Sequence, residues 1–271
     1  MEGLNDFIKI LKEHWRFRQQ LLKLAKADLI KTYRGAALGW AWAIIKPVVQ
    51  IFVYWFGFQI GLRTSKVVNG YPFFLWLIAG QVPWFYMNDM LTAGTESIRK
   101  YSYLVTKMKF PVSTIPTFVS ISKMTINLLL MVIVMILYVC FGFSPTIYWL
   151  QLIFYILISF GFWTTWGLLG ALLAAISKDF ANLVKSFVSF LFWFSGILWN
   201  PDTVKVIWLR KLLRLNPITY LVTGFRDCLI NKVWFWEKPS RLLYFLIAWG
   251  AMLIMALWAY RKVRKDIPDV L

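Results

Sequence analysis

Charge is scarce in this chain. Of 271 residues only 15% are Asp, Glu, Lys or Arg, while 60% are hydrophobic and 19% aromatic. Ordinary soluble domains carry about 25% charged residues, and a soluble fold of this size has no interior large enough to hide so much apolar surface. Acid is scarcest of all: 12 Asp and Glu stand against 30 Lys and Arg, a net charge of +18. Cysteine occurs twice, at Cys140 and Cys228, and histidine once, at His14. That leaves no metal- or haem-ligand set, so no bound metal is expected. The phosphate-cradling loop G-x-x-x-x-G-K-[ST] does not occur, so any ATP, with its Mg, is expected to be used by a partner and no cofactor by this chain. No nucleophile–base pair stands out beside Asp202, Asp227 and Glu237, which argues against a membrane-embedded transferase. Basic runs interleaved with aromatics on a soluble face are also missing, so nucleic acid is not an expected partner.

Long apolar runs are what the chain has in abundance. Blocks of about 20 residues or more match the roughly 30 Å thickness of the bilayer hydrocarbon. Six spans are predicted near 37–62, 73–97, 112–142, 149–176, 182–200 and 241–261, separated by turns such as Asn69-Gly70-Tyr71-Pro72, Phe110-Pro111, Ser144-Pro145 and Asn200-Pro201. The expected fold is an all-α integral membrane protein without a cleavable leader. Residues 4–30 read as a basic amphipathic helix in the headgroup plane, with Leu4, Phe7, Leu11, Trp15, Leu22, Ala25 and Leu29 on its apolar side.

Basic residues set the orientation. Lys9, Lys12, Arg16, Lys23, Lys31, Arg34, Arg99, Lys100, Lys107, Lys109, Lys178, Lys185, Arg261 and Lys265 fall at one side, and only Arg63 and Lys66 in the short loops of the other. The first side is therefore read as cytoplasmic, with both termini there. Residues 201–240 form a long external segment with two short amphipathic helices split by Asn216-Pro217, read as re-entrant or surface helices. Its basic residues, Arg210, Arg214 and Arg226 among them, gain nothing from the positive-inside bias. Lys46, Asp89 and Lys123 lie inside apolar runs near the inner edge of the hydrocarbon. They either snorkel to the headgroups or form an inner vestibule. With no midplane chain of carboxylates, a proton- or sodium-coupled carrier is disfavoured.

Several motifs, in order, carry a resemblance. Tyr33-Arg34-Gly35-Ala36-Ala37-Leu38-Gly39-Trp40 leads to Trp42 and Lys46-Pro47; Lys107-Met108-Lys109-Phe110-Pro111 follows span two; Ser177-Lys178-Asp179 precedes span five; Asn216-Pro217 is followed by Gly224-Phe225-Arg226-Asp227. Over nearly the whole chain this resembles the permeases of ABC-2 type polysaccharide exporters. The Lys-Met-Lys-Phe-Pro run with Ser113-Thr114-Ile115-Pro116 is most similar to the wall teichoic acid exporter permeases. A departure is Ser195-Gly196, where many relatives have Ser-Pro.

The resemblance implies one ABC-2 type transmembrane domain over 1–271: an interface helix (1–35), spans one to five (37–200), an external helical segment (201–240), span six (241–261) and a cytoplasmic tail (262–271). It implies a bacterial plasma-membrane permease, not itself an enzyme, that pairs with a second copy and two separate ATPase subunits. The expected cargo is a polyprenyl-diphosphate-linked anionic polymer, wall teichoic acid. Neutral O-antigen or capsular polysaccharide, or a small molecule, is the alternative. Lys31, Arg34, Lys46, Trp42, Trp84, Phe85, Tyr86 and Asp89, with Arg210, Arg214 and Arg226 at the outer mouth, are the candidate substrate path. Tyr101, Tyr103, Leu104, Lys107, Met108, Lys178 and Asp179 are the candidate ATPase-coupling residues.

Overall fold

The computed structural model describes residues 2–63, 67–108, 110–264 and 267. Lys66, Lys109 and Lys265, used above for orientation, lie outside them. The described residues are mostly helical.

The N-terminal amphipathic stretch is two helices rather than one, α1 (Glu2–Arg16) and α2 (Arg18–Tyr33). The chain bends at Phe17, where φ is −99° and ψ 13°, and the Phe17 ring meets Phe110 edge-on at 5.3 Å. Nor do the two helices simply float at the headgroups. α1 packs on the last long helix, α12 (Pro239–Val263), and on the turn Val112–Thr114, and α2 packs on α7 (Ile115–Cys140). Ile10, Leu21 and Ala25 are buried there together with two acids, Asp6 and Asp28. Ion pairs from those acids hold the helices to the bundle.

α3 (Trp42–Phe56) follows a 3₁₀ turn and runs on through a π-helical turn at Gly57–Gly61. The expected turn at 69–72 is the tip of a two-stranded hairpin, in which Val67 faces Pro72 and Val68 faces Tyr71. Asn69 and Gly70 form its two-residue loop with φ of 51° and 79°, the left-handed pair that a type I′ turn requires. α4 (Phe73–Asp89) continues through a second π turn at Met90–Gly94. The short helices α5 (Ser97–Lys100) and α6 (Ser102–Thr106) then lead to α7 (Ile115–Cys140), α8 (Gln151–Ile176) and α9 (Lys178–Phe194). α9 ends six residues before the predicted boundary because Gly196, at φ 63°, turns the chain back. α10 (Ile207–Arg214), α11 (Pro217–Arg226) with a π turn at Asp227–Asn231, and α12 (Pro239–Val263) complete the fold.

Among the described residues four stretches are long and apolar enough to cross a membrane: Gly39–Gly61, Val112–Cys140, Ile147–Ile176 and Pro239–Val263. Two of the six predicted spans fall short of that measure. α4 has 17 residues and carries Gln81, Asn88 and Asp89. α9 has 17 and carries Lys178, Asp179 and Lys185. The long helices differ in how much protein surrounds them. Half of the most apolar stretch of Ile147–Ile176 is buried within the chain, against 6% for Gly39–Gly61.

α11 is not a surface helix. From Ile218 to Arg226 nearly every residue is buried, against α4, α8 and α12. Gly224 permits this approach, since a Cβ there would overlap the ring of Tyr155 on α8. Gly224→Ala is therefore expected to destabilise the protein by about 1–3 kcal/mol, the usual range for overpacking. Thermal unfolding in detergent measures it, and an unchanged midpoint would mean that Tyr155 turns aside freely.

Candidate functional site

The helices present two polar ends and, between them, an open apolar face. At the end carrying the N-terminal helices, the few acids each hold a neighbouring element. Asp6 pairs with Arg261 at 2.8 Å and Arg264 at 3.2 Å on α12. Glu13 accepts a hydrogen bond from Ser113 at 2.5 Å, and His14 bonds Thr117 at 2.7 Å.

Asp28 joins α2 to the segment between α5 and α6. Its side chain is 1% exposed and lies 2.9 Å from Lys100 Nζ, and it also accepts the hydroxyl of Tyr101. Burial alone would raise the Asp28 carboxyl, but the hydrogen bonds from Tyr101 and Lys100 outweigh it, and the group ionises below the usual carboxylate value. Burial and the same carboxylate push the Tyr101 phenol up. The preceding residue, Arg99, donates to the carbonyls of Ala174 and Ala175 at the end of α8, the latter at 2.9 Å. Three consecutive residues thus tie this segment to α2 on one side and α8 on the other.

This arrangement relocates two of the predicted coupling residues. Tyr101 and Leu104 are 4% and 2% exposed, so they anchor the segment to its own bundle and have no surface to offer a partner. Tyr103 and Met108 are 44% and 67% exposed. Lys107, Lys178 and Asp179 are exposed as well. Beside them a groove of about 590 Å³ runs along α1, lined by Lys9, Lys12, Arg16, Phe17 and Pro111. It lies on the helix face opposite the buried Ile10.

Lys123 and Asp89 meet at 3.6 Å, with Lys46 and Tyr33 within electrostatic reach. Lys46 sits 5.9 Å from the Trp42 ring. Lys31, Arg34 and Lys46 are exposed, and Trp42 and Phe85 are partly so. The structure thus brings Lys46, Asp89 and Lys123 together at the end carrying the N-terminal helices. It places Trp84 and Tyr86 behind them, at 3% and 2% exposure. Trp84 packs on Phe192 of α9 at 5.5 Å, and the Tyr86 hydroxyl is bonded to Ser120 at 2.7 Å. Neither ring lines an open surface. Exposed apolar side chains occur on α7, α8 and α12 as well; on the neighbouring α3 and α9 they include Val48, Val49, Phe52, Val53, Phe56, Leu183, Phe187 and Trp193.

At the opposite end Arg226 is interior, 4% exposed, rather than at a mouth. Its guanidinium lies 3.5 Å over the Trp76 ring and donates to Trp76 O at 3.3 Å, Gly196 O at 2.6 Å and Ile197 O at 2.5 Å. It pins the turn after α9 to α4 and α11. Gly80 leaves it the room, since a Cβ there would collide with the guanidinium. Arg214 is exposed and held by Asp202 at 2.6 Å; burial would raise that carboxyl, and the Arg214 bond brings it below its ordinary value. Arg210 is half-buried.

Long apolar helices, ends locked by ion pairs and a mostly uncovered first long helix define a multi-pass integral membrane protein. A model of the ABC-2 type transporter family matches residues 19–230, and the chain belongs to that family. It is similar to the O-antigen export system permease protein RfbA of Myxococcus xanthus, with 26% identity over 260 residues covering 94% of this chain and 95% of the relative. Two proteins of the same name from Klebsiella pneumoniae are each 25% identical, over 260 and 263 residues, covering 93% of this chain and 94% of theirs. These relatives are named for O-antigen export, not for the teichoic acid export expected from the Lys-Met-Lys-Phe-Pro run.

Proposed function

We propose that this chain is the membrane half of an ATP-driven exporter that carries a lipid-linked polysaccharide of the O-antigen type across a bacterial plasma membrane. It works as a pair with a second copy, driven by two separate ATPase subunits, with six crossings (α3, α4, α7, α8, α9 and α12) and both termini in the cytoplasm. The observation that supports the cargo is similarity, along nearly the full length of both chains, to permeases named for O-antigen export. The basic bias of the N-terminal end supports the orientation. The uncovered flank of α3 and α9 supports a second copy alongside, because apolar helices that find few neighbours in their own chain are free to meet another.

On this reading Lys31, Arg34 and Lys46 receive the phosphate-bearing head of the carrier at the inner end, beside the Asp89–Lys123 pair. Trp42 and Phe85 offer ring faces to sugar. Tyr103, Lys107, Met108, Lys178 and Asp179 meet the ATPase, which uses the ATP and Mg.

The test is co-purification of the chain with the ATPase encoded beside it, followed by ATP hydrolysis in lipid with lipid-linked O-antigen or with teichoic acid precursor. Stimulation by the O-antigen carrier is expected. A charged residue in place of an apolar anchor, Met108→Asp, is expected to weaken co-purification about tenfold or more. Stimulation by the teichoic acid precursor alone would overturn the cargo, and failure of the two proteins to associate would overturn the transporter reading.

A further inference from the structure

The basic character of the segment after α9 is unexplained by export of a neutral polymer. Part of it converges on a cleft between the first turns of α11 and α12. Arg214, Lys238 and Arg241 line this cleft, together with Thr219, Tyr220 and Tyr155. We propose that it seats the phosphate group of a lipid in the leaflet at this end of the bundle.

Unused hydrogen-bonding capacity points to a ligand. Thr219 and Tyr220 are 4% and 8% exposed; the Thr219 hydroxyl is buried without a hydrogen-bond partner among the described residues, and the Tyr220 hydroxyl has only the neighbouring Tyr155 hydroxyl to turn to. Buried hydroxyls are seldom left so, because an unpaired one has given up its hydrogen bonds to water for nothing in return. The cations are also incompletely neutralised. Arg214 gives both Nε and a terminal nitrogen to a single oxygen of Asp202, at 2.9 and 2.6 Å. Arg241 reaches that same oxygen only at 3.7 Å. Lys238 pairs with Asp227 at 2.5 Å. Three cations against two carboxylates leave one positive charge.

Size decides the chemical class. The inner space of the cleft is about 20 Å³, room for one or two oxygen-sized groups and not for a sugar ring. A phosphate at the rim inserts one oxygen toward the two hydroxyls and offers the others to the guanidinium forks, the geometry that arginine prefers for oxyanions.

The neighbouring helix says the phosphate comes on a lipid. α10 and its C-cap turn Trp208, Leu212 and Leu215 outward at 68%, 51% and 48% exposure, while Arg210 and Arg214 take its other side. An apolar flank with basic residues opposite is the pattern of a helix lying at a membrane surface. Headgroups therefore reach the rim of the cleft. The phosphate has two possible sources, a bulk phospholipid and the diphosphate of a polyprenyl carrier that has crossed the membrane.

The full chain in detergent is titrated by native mass spectrometry with three short-chain probes: dihexanoyl phosphatidylglycerol, farnesyl diphosphate and a glucosyl diglyceride without phosphate. At least one phosphate probe is expected to bind about tenfold more tightly than the glycolipid. Thr219→Val with Tyr220→Phe, which removes two oxygens at nearly constant volume, is expected to abolish that preference, and Arg241→Gln to weaken it about tenfold. Preference for phosphatidylglycerol assigns the seat to bulk lipid, and preference for farnesyl diphosphate assigns it to the carrier. Equal binding of all three probes, or a preference that survives the double substitution in protein that still elutes as wild type, overturns the proposal and leaves the cleft to water.

Discussion

Arg226→Ala is expected to cost the protein about 3–5 kcal/mol, the range seen when one partner of a buried charged network is removed. The side chain is buried and satisfies three carbonyls, those of Trp76, Gly196 and Ile197. Its loss leaves those oxygens unpaired and empties the space under Trp76. Arg226→Lys is expected to recover little, because an ammonium cannot reach three carbonyls in a plane while stacking on an indole. Gly80→Ala attacks the same contact from the other side by pressing on the guanidinium. Thermal unfolding and the size-exclusion profile in detergent read all three variants. An unaltered melting midpoint in Arg226→Ala would show that the residue is a spectator in the fold and would return it to the outer mouth.

Asp28→Ala is the second large effect, about 2 kcal/mol after allowing for the partly exposed Lys100. It strands the buried Tyr101 hydroxyl and frees Lys100, so α2 is expected to lose its hold on the α5–α6 segment. Hydrogen exchange across residues 18–33 should rise at least tenfold while α7 and α8 stay protected. Unchanged protection of α2 would sink the idea. The same bond predicts an acid effect. The folded Asp28 carboxyl ionises below its ordinary value, so its contribution is complete above about pH 4, the usual carboxylate value. That contribution is lost as pH falls through the lower folded value. Wild-type α2 should loosen in that acid window, and Asp28→Ala, already loose, should show no such step.

Span existence was legible where run length alone decides it, as for α3, α7, α8 and α12. α4 and α9 were legible as helices near 73–97 and 182–200, yet their polar residues leave both short of the length and apolarity of the other four. Burial of individual side chains was not legible. Tyr101 and Tyr103 sit two apart in one polar segment, and nothing in their sequence surroundings tells that one faces the bundle and the other faces away. Arg226 looked like the other basic residues of its segment, because a guanidinium in a run of mixed polarity reads the same whether it meets water or three carbonyls. The missed residues did leave a signal. In a chain so poor in acid, Asp6, Glu13, Asp28, Asp89, Asp202 and Asp227 are each committed to a basic or hydroxyl partner. Asp28 is the only acid in α2, and its isolation among lysines marked it. The cargo was not legible for a different reason. The Lys-Met-Lys-Phe-Pro run is part of the proposed ATPase-coupling segment, and residues with that role would carry no imprint of the polymer.

The enclosure of α4 has a consequence for how the protein is made. Its walls are α3, α7 and α11, and with protein on most sides it has no need to be greasy enough to enter lipid unaided. Yet it leaves the ribosome directly after α3 and well before α7 and α11. For that interval a helix bearing Gln81, Asn88 and Asp89 has no neighbour but α3, itself almost bare. The insertion machinery must therefore shelter α4 until α7 brings Lys123 to Asp89 and Asn127 to the Val82 carbonyl. Weakening either contact would be felt first as a defect of biogenesis, in yield and topology, before any defect of transport could be measured.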